Sequence, residues 1–365
     1  MSRLGMMLIG LLLAPLAWAG CDWPEWHGFK EAYIGPEGRV IDPVDGRDIT
    51  TSEGQSYGMF FALVADDREA FERLLRWTEE NLAEGDLTAR LPAWLWGRDE
   101  QRQWSVLDDN SASDSDLWIA YALLEAGRLW QIRKYRVLGT LLLQRIAREE
   151  VMDIPGLGMM LLPGRIGFAK ESHWTLNPSY LPPQLLARFA ELEGPWREMR
   201  GNNLRLWLES APRGLVPDWI SWHGSRGWQP AETSGSRGSY DAIRSYLWAG
   251  MLAGGDPDRV RLLEHLQPMV ELTTDAGPPE RVDAQTGEAV GRGPVGFSAA
   301  LLPMLQNGAL ADAQRRRLAT NPPGDQAYYD SVLTLFGLGW DQRRYRFDEA
   351  GKLLPEWDQS CAINH

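Results

Sequence analysis

Apolar residues recur at helical spacing through most of this chain and divide it into twelve helical segments. A spacing of three and four residues gives each segment an apolar face, and signals such as Asp67 and Gly194-Pro195 are typical of helix starts. Few segments alternate with period two, and only residues 214–220 are predicted to form a short strand. The predicted helices cover residues 23–33, 56–65, 68–83, 113–126, 131–149, 180–193, 195–210, 240–254, 257–272, 296–307, 310–320 and 325–338.

The connections between these helices alternate in length, which favours six consecutive helical hairpins. Four connections are long, at residues 84–112, 150–179, 211–239 and 273–295. Connections longer than about 15 residues are usually functional, and these are rich in Trp, Gly, Pro and Arg. Six hairpins predict an all-α toroid with its long loops on one face. No Ser/Gly-rich or charged linker divides the chain, so we expect one domain.

Residues 1–19 are typical of a secretory signal peptide. Met1-Ser2-Arg3 is a short basic head, residues 4–17 are apolar, and Ala17-Trp18-Ala19 fits the small-x-small cleavage rule. We therefore expect a mature domain of residues 20–365 in the periplasm or outside the cell. A buried N-terminal helix is the alternative, and a membrane anchor is disfavoured because the apolar run is short.

The two cysteines of the sequence, Cys21 and Cys361, lie near opposite ends of the mature chain. In an oxidising compartment they can form a disulfide that joins the chain ends. Two unpaired thiols are the alternative.

The net charge of −13 argues against several classes of partner. So acidic a chain repels nucleic-acid phosphates and anionic lipid heads, and we expect neither nucleic-acid binding nor membrane insertion of the mature chain. It also suits polyuronates poorly, which disfavours a polysaccharide lyase. The five His residues have no metal-ligand spacing, so no metal and no cofactor are expected. A neutral polymer is compatible with this negative charge, and the 18 Trp residues provide aromatic faces on which sugar rings can stack.

Three acidic side chains stand where a polar connection ends and an apolar helix begins. They are Glu53 in the segment 50–60, Asp114 in 110–118 and Asp241 in 238–244. If these helix starts share one end of the toroid, the three carboxylates converge. Cleavage of a glycosidic bond needs a proton donor and a second carboxylate that acts as base or nucleophile. Glu53 and Asp241 are the candidates for these two roles.

The position of Glu53 at a helix start favours an ionised carboxylate. A raised pKa at Glu53 therefore needs burial or a neighbouring carboxylate, and Asp114 is expected to supply that charge. Each acid taken alone is better explained as a helix cap. The aromatic neighbours of Asp114, among them Trp94 and Trp96, favour a functional site instead.

A competing motif overlaps Glu53, because residues 54–58 match the Gly-x-Ser-x-Gly nucleophile elbow. That motif follows a hydrophobic strand, and residues 47–52 do not form one. The βαβ alternation of an α/β-hydrolase is also missing, so this reading is disfavoured.

Four segments, in order along nearly the whole mature chain, resemble glycoside hydrolase family 8. Within that family they are most similar to the periplasmic endoglucanases of bacterial cellulose-synthase operons. The segments are Ser52-Glu53-Gly54-Gln55-Ser56-Tyr57-Gly58-Met59, Ala112-Ser113-Asp114-Ser115-Asp116-Leu117-Trp118-Ile119-Ala120-Tyr121, Asn177-Pro178-Ser179-Tyr180 and Tyr240-Asp241-Ala242-x-Arg244.

The resemblance implies an (α/α)6 barrel and an inverting endo-β-1,4-glucanase that acts on cellulose-like glucan. It implies Glu53 as general acid and Asp241 as general base, separated by about 6.5–9.5 Å. Asp114 is expected to bind and distort the sugar. Tyr180 is expected to position water or sugar, and Arg244 to orient Asp241.

The implied partners are a β-1,4-glucan chain and the cellulose synthase complex, and Trp94 and Trp96 are expected to stack on sugar rings. Two other readings stay open, a non-catalytic glucan-binding partner of the synthase and a chitosanase or xylanase of the same family. The acidic residue within Tyr240-Asp241-Ala242 favours the cellulase-like subgroup.

Overall fold

The computed structural model describes residues 22–43 and 46–357. The predicted signal peptide and both cysteines, Cys21 and Cys361, lie outside these residues, so cleavage after Ala19 and the disulfide stay predictions. In the two described ranges, no helix is both long and apolar enough to cross a membrane.

The helices of the described residues form an (α/α)6 barrel, with six inner helices surrounded by their outer partners. The inner helices are α2 (Ser52–Val64), α4 (Ser113–Leu129), α6 (Pro183–Phe189), α8 (Ala242–Gly250), α11 (Val295–Leu305) and α13 (Tyr328–Asp341). The outer helices, given in the order of these partners, are α3 (Arg68–Leu82), α5 (Arg133–Glu149), α7 (Trp196–Ser210), α9 (Arg259–His265) with α10 (Gln267–Leu272), α12 (Ala309–Thr320) and α1 (Pro24–Tyr33).

Apolar patterning decides which helix lies inside. Every residue of α2 is buried apart from Glu53, and α4 is buried without a break from Ser113 to Gly127. The outer helix α3 buries only one stripe, which includes Phe71, Leu74 and Leu75. A helix that is apolar all round needs protein on every side, whereas an amphipathic one can face water. The two patterns therefore assign the helices to an inner and an outer ring.

Large aromatic rings fill the barrel axis. Trp118, Trp248 and Phe336 come from α4, α8 and α13, and their ring centroids lie 5.1–5.4 Å apart. Phe336 also contacts Phe61 of α2 at 4.6 Å, which joins the last inner helix to the first. Aromatic pairs in these edge-on and tilted arrangements add to the burial energy, so the axis is a packed core.

The helix predictions are confirmed, with one correction. Each predicted helix overlaps an observed one, but the prediction over 257–272 splits into α9 and α10. Pro268 lies at the first turn of α10. A proline inside a continuous helix would lose a backbone N–H bond and clash with the preceding turn. The chain therefore ends α9 at His265 and starts again.

The single strand prediction, over 214–220, is wrong. Gly214 has φ of +71°, which is a left-handed turn conformation, and Pro217 has no N–H to donate to a sheet. The strand at this point begins only at Ile220. The sequence signal came from apolar residues that are buried in a turn.

The structure also contains short strands that the sequence did not indicate, most of them in the long connections. All strand pairs are antiparallel, and a four-stranded sheet made of Ala169–Lys170, His173–Leu176, Ile220–His223 and Gly227–Pro230 joins the connection 150–179 to the connection 211–239. The strands are β1 (Thr50–Thr51), β2 (Leu95–Arg98), β3 (Trp104–Asp108), β4 (Val151–Ile154), β5 (Gly158–Leu161), β6 (Ala169–Lys170), β7 (His173–Leu176), β8 (Ile220–His223), β9 (Gly227–Pro230), β10 (Arg237–Gly238), β11 (Arg281–Asp283), β12 (Ala289–Val290), β13 (Tyr345–Phe347) and β14 (Leu353–Pro355).

The long connections lie at the end of the barrel where the inner helices begin, as the sequence predicts. Residues 65–67 and 130–132 are short turns at the opposite end. The β13–β14 hairpin covers that opposite end, where the Leu353 N–H donates to Glu125 Oε2 at 2.9 Å and Tyr121 donates to the Gly351 carbonyl at 2.8 Å. The acidic helix starts therefore all face the loop-rich end.

Replacing Gly337 by Ala tests the close packing of α13 on α11. A Cβ at Gly337 would lie 1.9 Å from the Ala299 carbonyl oxygen, so the two helices would have to separate. We expect Gly337→Ala to lower the free energy of unfolding by about 1–3 kcal/mol, measured by chemical denaturation. Gly28→Ala is the control, because that exposed helical glycine has nothing within 4 Å of its Cβ position. Equal stability of the two variants would contradict the packing.

Candidate active site

Glu53 lies in the first turn of α2, at the centre of the loop-rich end. The Thr51 side chain caps this helix by accepting the Gly54 N–H at 3.0 Å. The Ser52 hydroxyl is hydrogen-bonded to that of Ser115 at 2.6 Å, which fixes the start of α2 against the start of α4. The Glu53 side chain is 24% exposed, so the fixed start of α2 holds it in place and leaves part of it open to solvent at the loop-rich end.

Asp114 lies beside Glu53, on the first turn of α4, and is buried. One of its oxygens accepts the Ser115 N–H at 2.8 Å. Burial raises the pKa of Asp114 well above its ordinary value, and the adjacent Glu53 charge and a carboxyl–carboxyl hydrogen bond raise it further. Two carboxyl groups this close share a proton because both cannot ionise freely. Asp114, the more buried of the two groups, is the one whose pKa is raised.

Asp241 lies at the N-terminus of α8, and Arg244 and Trp219 donate to its carboxylate. Arg244 Nη2 donates to Oδ1 at 2.8 Å, and Trp219 Nε1 donates to Oδ2 at 3.1 Å. Burial is the main cause that raises the pKa of Asp241 to about 6, and the charges of Asp218 and Glu53 add to it against the Arg244 cation. The group is therefore ionised at neutral pH and can accept a proton.

Arg244 joins the two halves of the site. Its Nη1 donates to Glu53 Oε2 at 2.5 Å, while Nη2 donates to Asp241 Oδ1 at 2.8 Å. Nη2 also donates to the Ser179 hydroxyl oxygen at 3.1 Å. Arg244 is only 4% exposed, and a guanidinium is a planar fork with fixed donor directions. The carboxylates of Glu53 and Asp241 are thus held apart by one rigid cation.

The structure brings Tyr180 into this group and leaves Trp96 at its edge. The Tyr180 ring lies 5.8 Å from the Arg244 guanidinium and contacts Trp219 edge-on at 5.7 Å. Trp94 uses its carbonyl to accept the Ser52 N–H at 3.0 Å, next to Glu53. Trp96 stacks on Trp104 at 4.8 Å, and the Arg39 guanidinium lies 4.4 Å from its ring centroid, so protein groups already occupy part of its surface.

Sequence reasoning missed several residues of the site. Ser179 stands in the 177–180 segment, but it was given no role there. Tyr329 lies in the first turn of α13, and its hydroxyl donates to the Tyr240 carbonyl at 2.5 Å. The rule that found the acids did not select Tyr329, because the predicted helix over 325–338 starts four residues before it, whereas the observed helix starts at Tyr328. Asp218 and Trp219 carry no local signal, since only the folded connection brings them to Asp241.

Within residues 22–43 and 46–357, no group of three His, Cys, Asp or Glu side chains is arranged to hold a metal ion.

Comparison with protein families identifies the group to which this arrangement belongs. The family model described as glycosyl hydrolases family 8 matches residues 2–343. The chain belongs to glycosyl hydrolase family 8. The resemblance of the four sequence segments is thereby confirmed, and so is the assignment of the chain as a glycoside hydrolase.

Relatives within family 8 cover almost the whole chain. An endoglucanase from Escherichia coli O157:H7 is 56% identical over 364 residues, which is 100% of this chain and 99% of the relative. An endoglucanase from Xanthomonas axonopodis pv. citri is 49% identical and covers 93% of this chain and 91% of its own. The crystal structure of an endo-1,4-D-glucanase from Vibrio fischeri ES114 superposes with a TM-score of 0.88 at 46% identity, over 92% of this chain and 99% of that one.

This family 8 chain contains a second carboxyl pair behind the site. Asp116 is fully buried, and within the described residues neither of its oxygens meets a hydrogen-bond donor. Its neighbour Glu150 accepts the Ser111 hydroxyl at 2.5 Å through Oε1, while Oε2 also lacks a donor. A single proton shared by Asp116 and Glu150 makes one O–H···O bond between them and satisfies two of these three oxygens. Burial, as the first cause, raises the pKa of Glu150 to about 8.

Asp116→Asn is expected to weaken the pH dependence of stability. The pKa of Glu150 is raised in the folded state, so its contribution is complete below an unfolded pKa of about 4.3 and is lost as the pH rises through about 8. Wild-type unfolding free energy should fall by on the order of 1–3 kcal/mol between pH 6 and 8 from this pair. The pKa of Asp116 is also raised well above its ordinary value, first by burial and then by the Glu150 charge, so an Asn at this position removes one of the two titrating groups and with it part of this slope.

The measurement is chemical denaturation of the wild type and the variant at pH 6, 7 and 8. Asp153→Asn, an exposed residue of β4, is the matched control and should keep the wild-type slope. An Asp116→Asn variant with the full wild-type slope would rule out a shared proton.

Proposed function

We propose that this chain is an endoglucanase that hydrolyses β-1,4-glucan with inversion at the anomeric carbon. One observation carries the proposal: Arg244 binds Glu53 and Asp241 on its two Nη atoms, at 2.5 and 2.8 Å, between the starts of α2 and α8. The related chains from Escherichia coli O157:H7 and Xanthomonas axonopodis pv. citri are named endoglucanases. An inverting enzyme needs space for water between its base and the sugar, and two carboxylates separated by a guanidinium leave that space.

Glu53 is the proposed general acid. Asp114 shares its proton with Glu53 through a hydrogen bond between the two carboxyl groups, and Glu53 is the more exposed partner. In the proposed step this proton passes from Asp114 through the Glu53 carboxyl to the glycosidic oxygen, as the bond between that oxygen and the anomeric carbon breaks. Asp114 and Tyr180 line the point of cleavage, where they bind the sugar and favour its distortion toward the transition state.

Asp241 is the proposed general base. A water on the opposite face of the sugar attacks the anomeric carbon, and Asp241 accepts its proton. Trp219 and Arg244 fix the two oxygens of Asp241, so the free lone pairs point in defined directions. Because the pKa of Asp241 is about 6, the base is ionised above that pH, and activity should fall as the pH drops below it.

Export, a single domain and a link to cellulose synthesis complete the proposal. The basic head, apolar run and Ala17-Trp18-Ala19 site of residues 1–19 support cleavage and release of a catalytic domain of residues 20–365 into the periplasm or medium. The four motif segments support a role beside the cellulose synthase complex, since they are similar to endoglucanases of such operons. Mass spectrometry of the exported chain tests the cleavage point.

The anomer of the first product is the decisive experiment for the mechanism. Proton NMR during hydrolysis of a soluble β-1,4-glucan should show the α-anomer first, with the β-anomer appearing only by mutarotation. If the β-anomer appears first, Asp241 acts as a nucleophile and the inverting mechanism is wrong. Absence of reducing-sugar release from carboxymethyl-cellulose would support a non-catalytic glucan-binding protein instead.

Glu53→Gln is expected to lower kcat on carboxymethyl-cellulose by at least about 10², as loss of a general acid does. The amide keeps the shape of the side chain, so glucan binding should change little. Glu31→Gln, at an exposed position of α1, is the control and should retain full turnover. Near-wild-type turnover of Glu53→Gln would remove Glu53 from the reaction.

A further inference from the structure

Asp218 is a buried acid to which the proposed mechanism assigns no step. It lies in the connection between α7 and α8 and is only 4% exposed. Its N–H donates to the Arg237 carbonyl at 2.7 Å, and Arg237 Nε lies 3.4 Å from its Oδ2. Backbone and side chain therefore both bind the segment that leads into α8.

The other oxygen of Asp218 accepts three backbone N–H groups at the start of α8. Oδ1 lies 2.7 Å from Ser239 N, 3.0 Å from Ala242 N and 3.2 Å from Asp241 N. Satisfying free N–H groups at a helix start is the usual task of the N-cap residue itself. In α8 the N-cap residue is Asp241, and its side chain makes no capping bond. The cap is supplied by Asp218, 23 residues earlier in the chain.

Because Asp218 caps α8, the position of the Asp241 carboxylate is not determined by capping bonds. An aspartate at an N-cap ordinarily turns back to its own helix and binds the N–H groups of the first turn. Because Asp218 occupies that position, Asp241 is available to bind Arg244 through Oδ1 and Trp219 through Oδ2. Trp219 adjoins Asp218 in sequence, so one short segment holds both the backbone and the side chain of Asp241.

We propose that Asp218 is a positioning residue for the hydrolytic reaction: it caps α8 in place of Asp241 and thereby directs the Asp241 carboxylate toward Arg244 and Trp219. The inference rests on the proposed role of Asp241 as general base. It adds a requirement to that role, since an acid at a helix start can serve as a base only if another group takes over its capping bonds.

The charge of Asp218 also acts on Asp241. Burial is the largest cause of the raised pKa of Asp241, and Asp218 is the first of the negative charges that raise it further. Removing the Asp218 charge should therefore lower the pKa of Asp241. The other charged or titratable groups that act on Asp241 or Asp218 are Arg244, Glu53, Arg237, Tyr180, Tyr246 and Tyr329.

Two substitutions separate the cap from the charge. Asp218→Asn keeps an Oδ1 acceptor for the three N–H groups and removes the charge. Its activity near neutral pH should stay close to that of the wild type. The apparent pKa on the acid side of its kcat–pH profile should fall by about half to one unit. Asp218→Ala removes the acceptor as well, which frees Asp241 to turn toward its own helix. Its kcat should fall by about 10² with KM within about threefold of wild type, as expected for a misplaced group.

The matched control is Asp256→Asn. Asp256 is also a buried loop aspartate, and its Oδ1 accepts the Asp258 N–H at 2.9 Å before α9, at the opposite end of the barrel. This variant should leave both the acid limb and kcat unchanged. A purely structural role for Asp218 predicts lower stability of Asp218→Ala with no shift of the pH profile in Asp218→Asn.

A measurement that does not depend on hydrolysis distinguishes failure of the proposed function from failure of the proposed positioning role of Asp218. Carbon NMR titration of the Asp241 carboxyl, assigned with Asp241→Asn, should show a lower pKa in Asp218→Asn than in the wild type. If the wild type releases no reducing sugar but this shift is present, the proposed function fails and the positioning of Asp241 stands. If the wild type is active, an unchanged pKa in Asp218→Asn together with an Asp218→Ala kcat within about threefold of wild type would overturn the inference.

Discussion

The site depends on the buried guanidinium of Arg244. A cation that is only 4% exposed loses its hydration and has to be compensated by close acceptors. Glu53, Asp241 and Ser179 supply them from three different parts of the chain. The same contacts hold the proposed acid and base at a fixed separation. One electrostatic requirement therefore connects the stability of the loop-rich end to the geometry of the reaction.

Helix starts are suitable positions for carboxylates, but there the free N–H groups of the helix compete with substrate for the carboxylate oxygens. The free N–H groups of a first turn attract any nearby acid, and a carboxylate that caps its helix cannot also face substrate. Thr51 performs the capping for α2, which leaves the Glu53 side chain unbound by its own helix. Asp218 performs it for α8 and leaves Asp241 available. Two reactive groups thus depend on neighbours that satisfy the backbone.

The β-hairpins of the long connections bring these neighbours together. Thr51 pairs with Leu95, so the first connection is fixed to the start of α2. The sheet β6-β7-β8-β9 pairs Leu176 with Ile220, which places the residues after β7 next to those before β8. Tyr180 and Trp219 meet for this reason. Backbone pairing, which is nearly independent of side-chain identity, therefore positions these aromatic side chains beside Arg244 and Asp241.

The sequence alone determined the helices, their pairing and the loop-rich end, because those properties follow from apolar spacing and connection length. It also singled out Glu53, Asp114 and Asp241, since each acid stands at a helix start. The short strands were not predictable, because segments of two to five residues carry too little periodicity.

Only the tertiary structure decided which groups surround each acid. Asp218 meets Asp241 across a folded connection, and Glu150 meets Asp116 between two helices. A local signal such as helical spacing repeats within a few residues and can be read along the chain. Burial and charge-to-charge distance depend on all the neighbours in space, so the pKa values of these acids could be assigned only after the chain had folded.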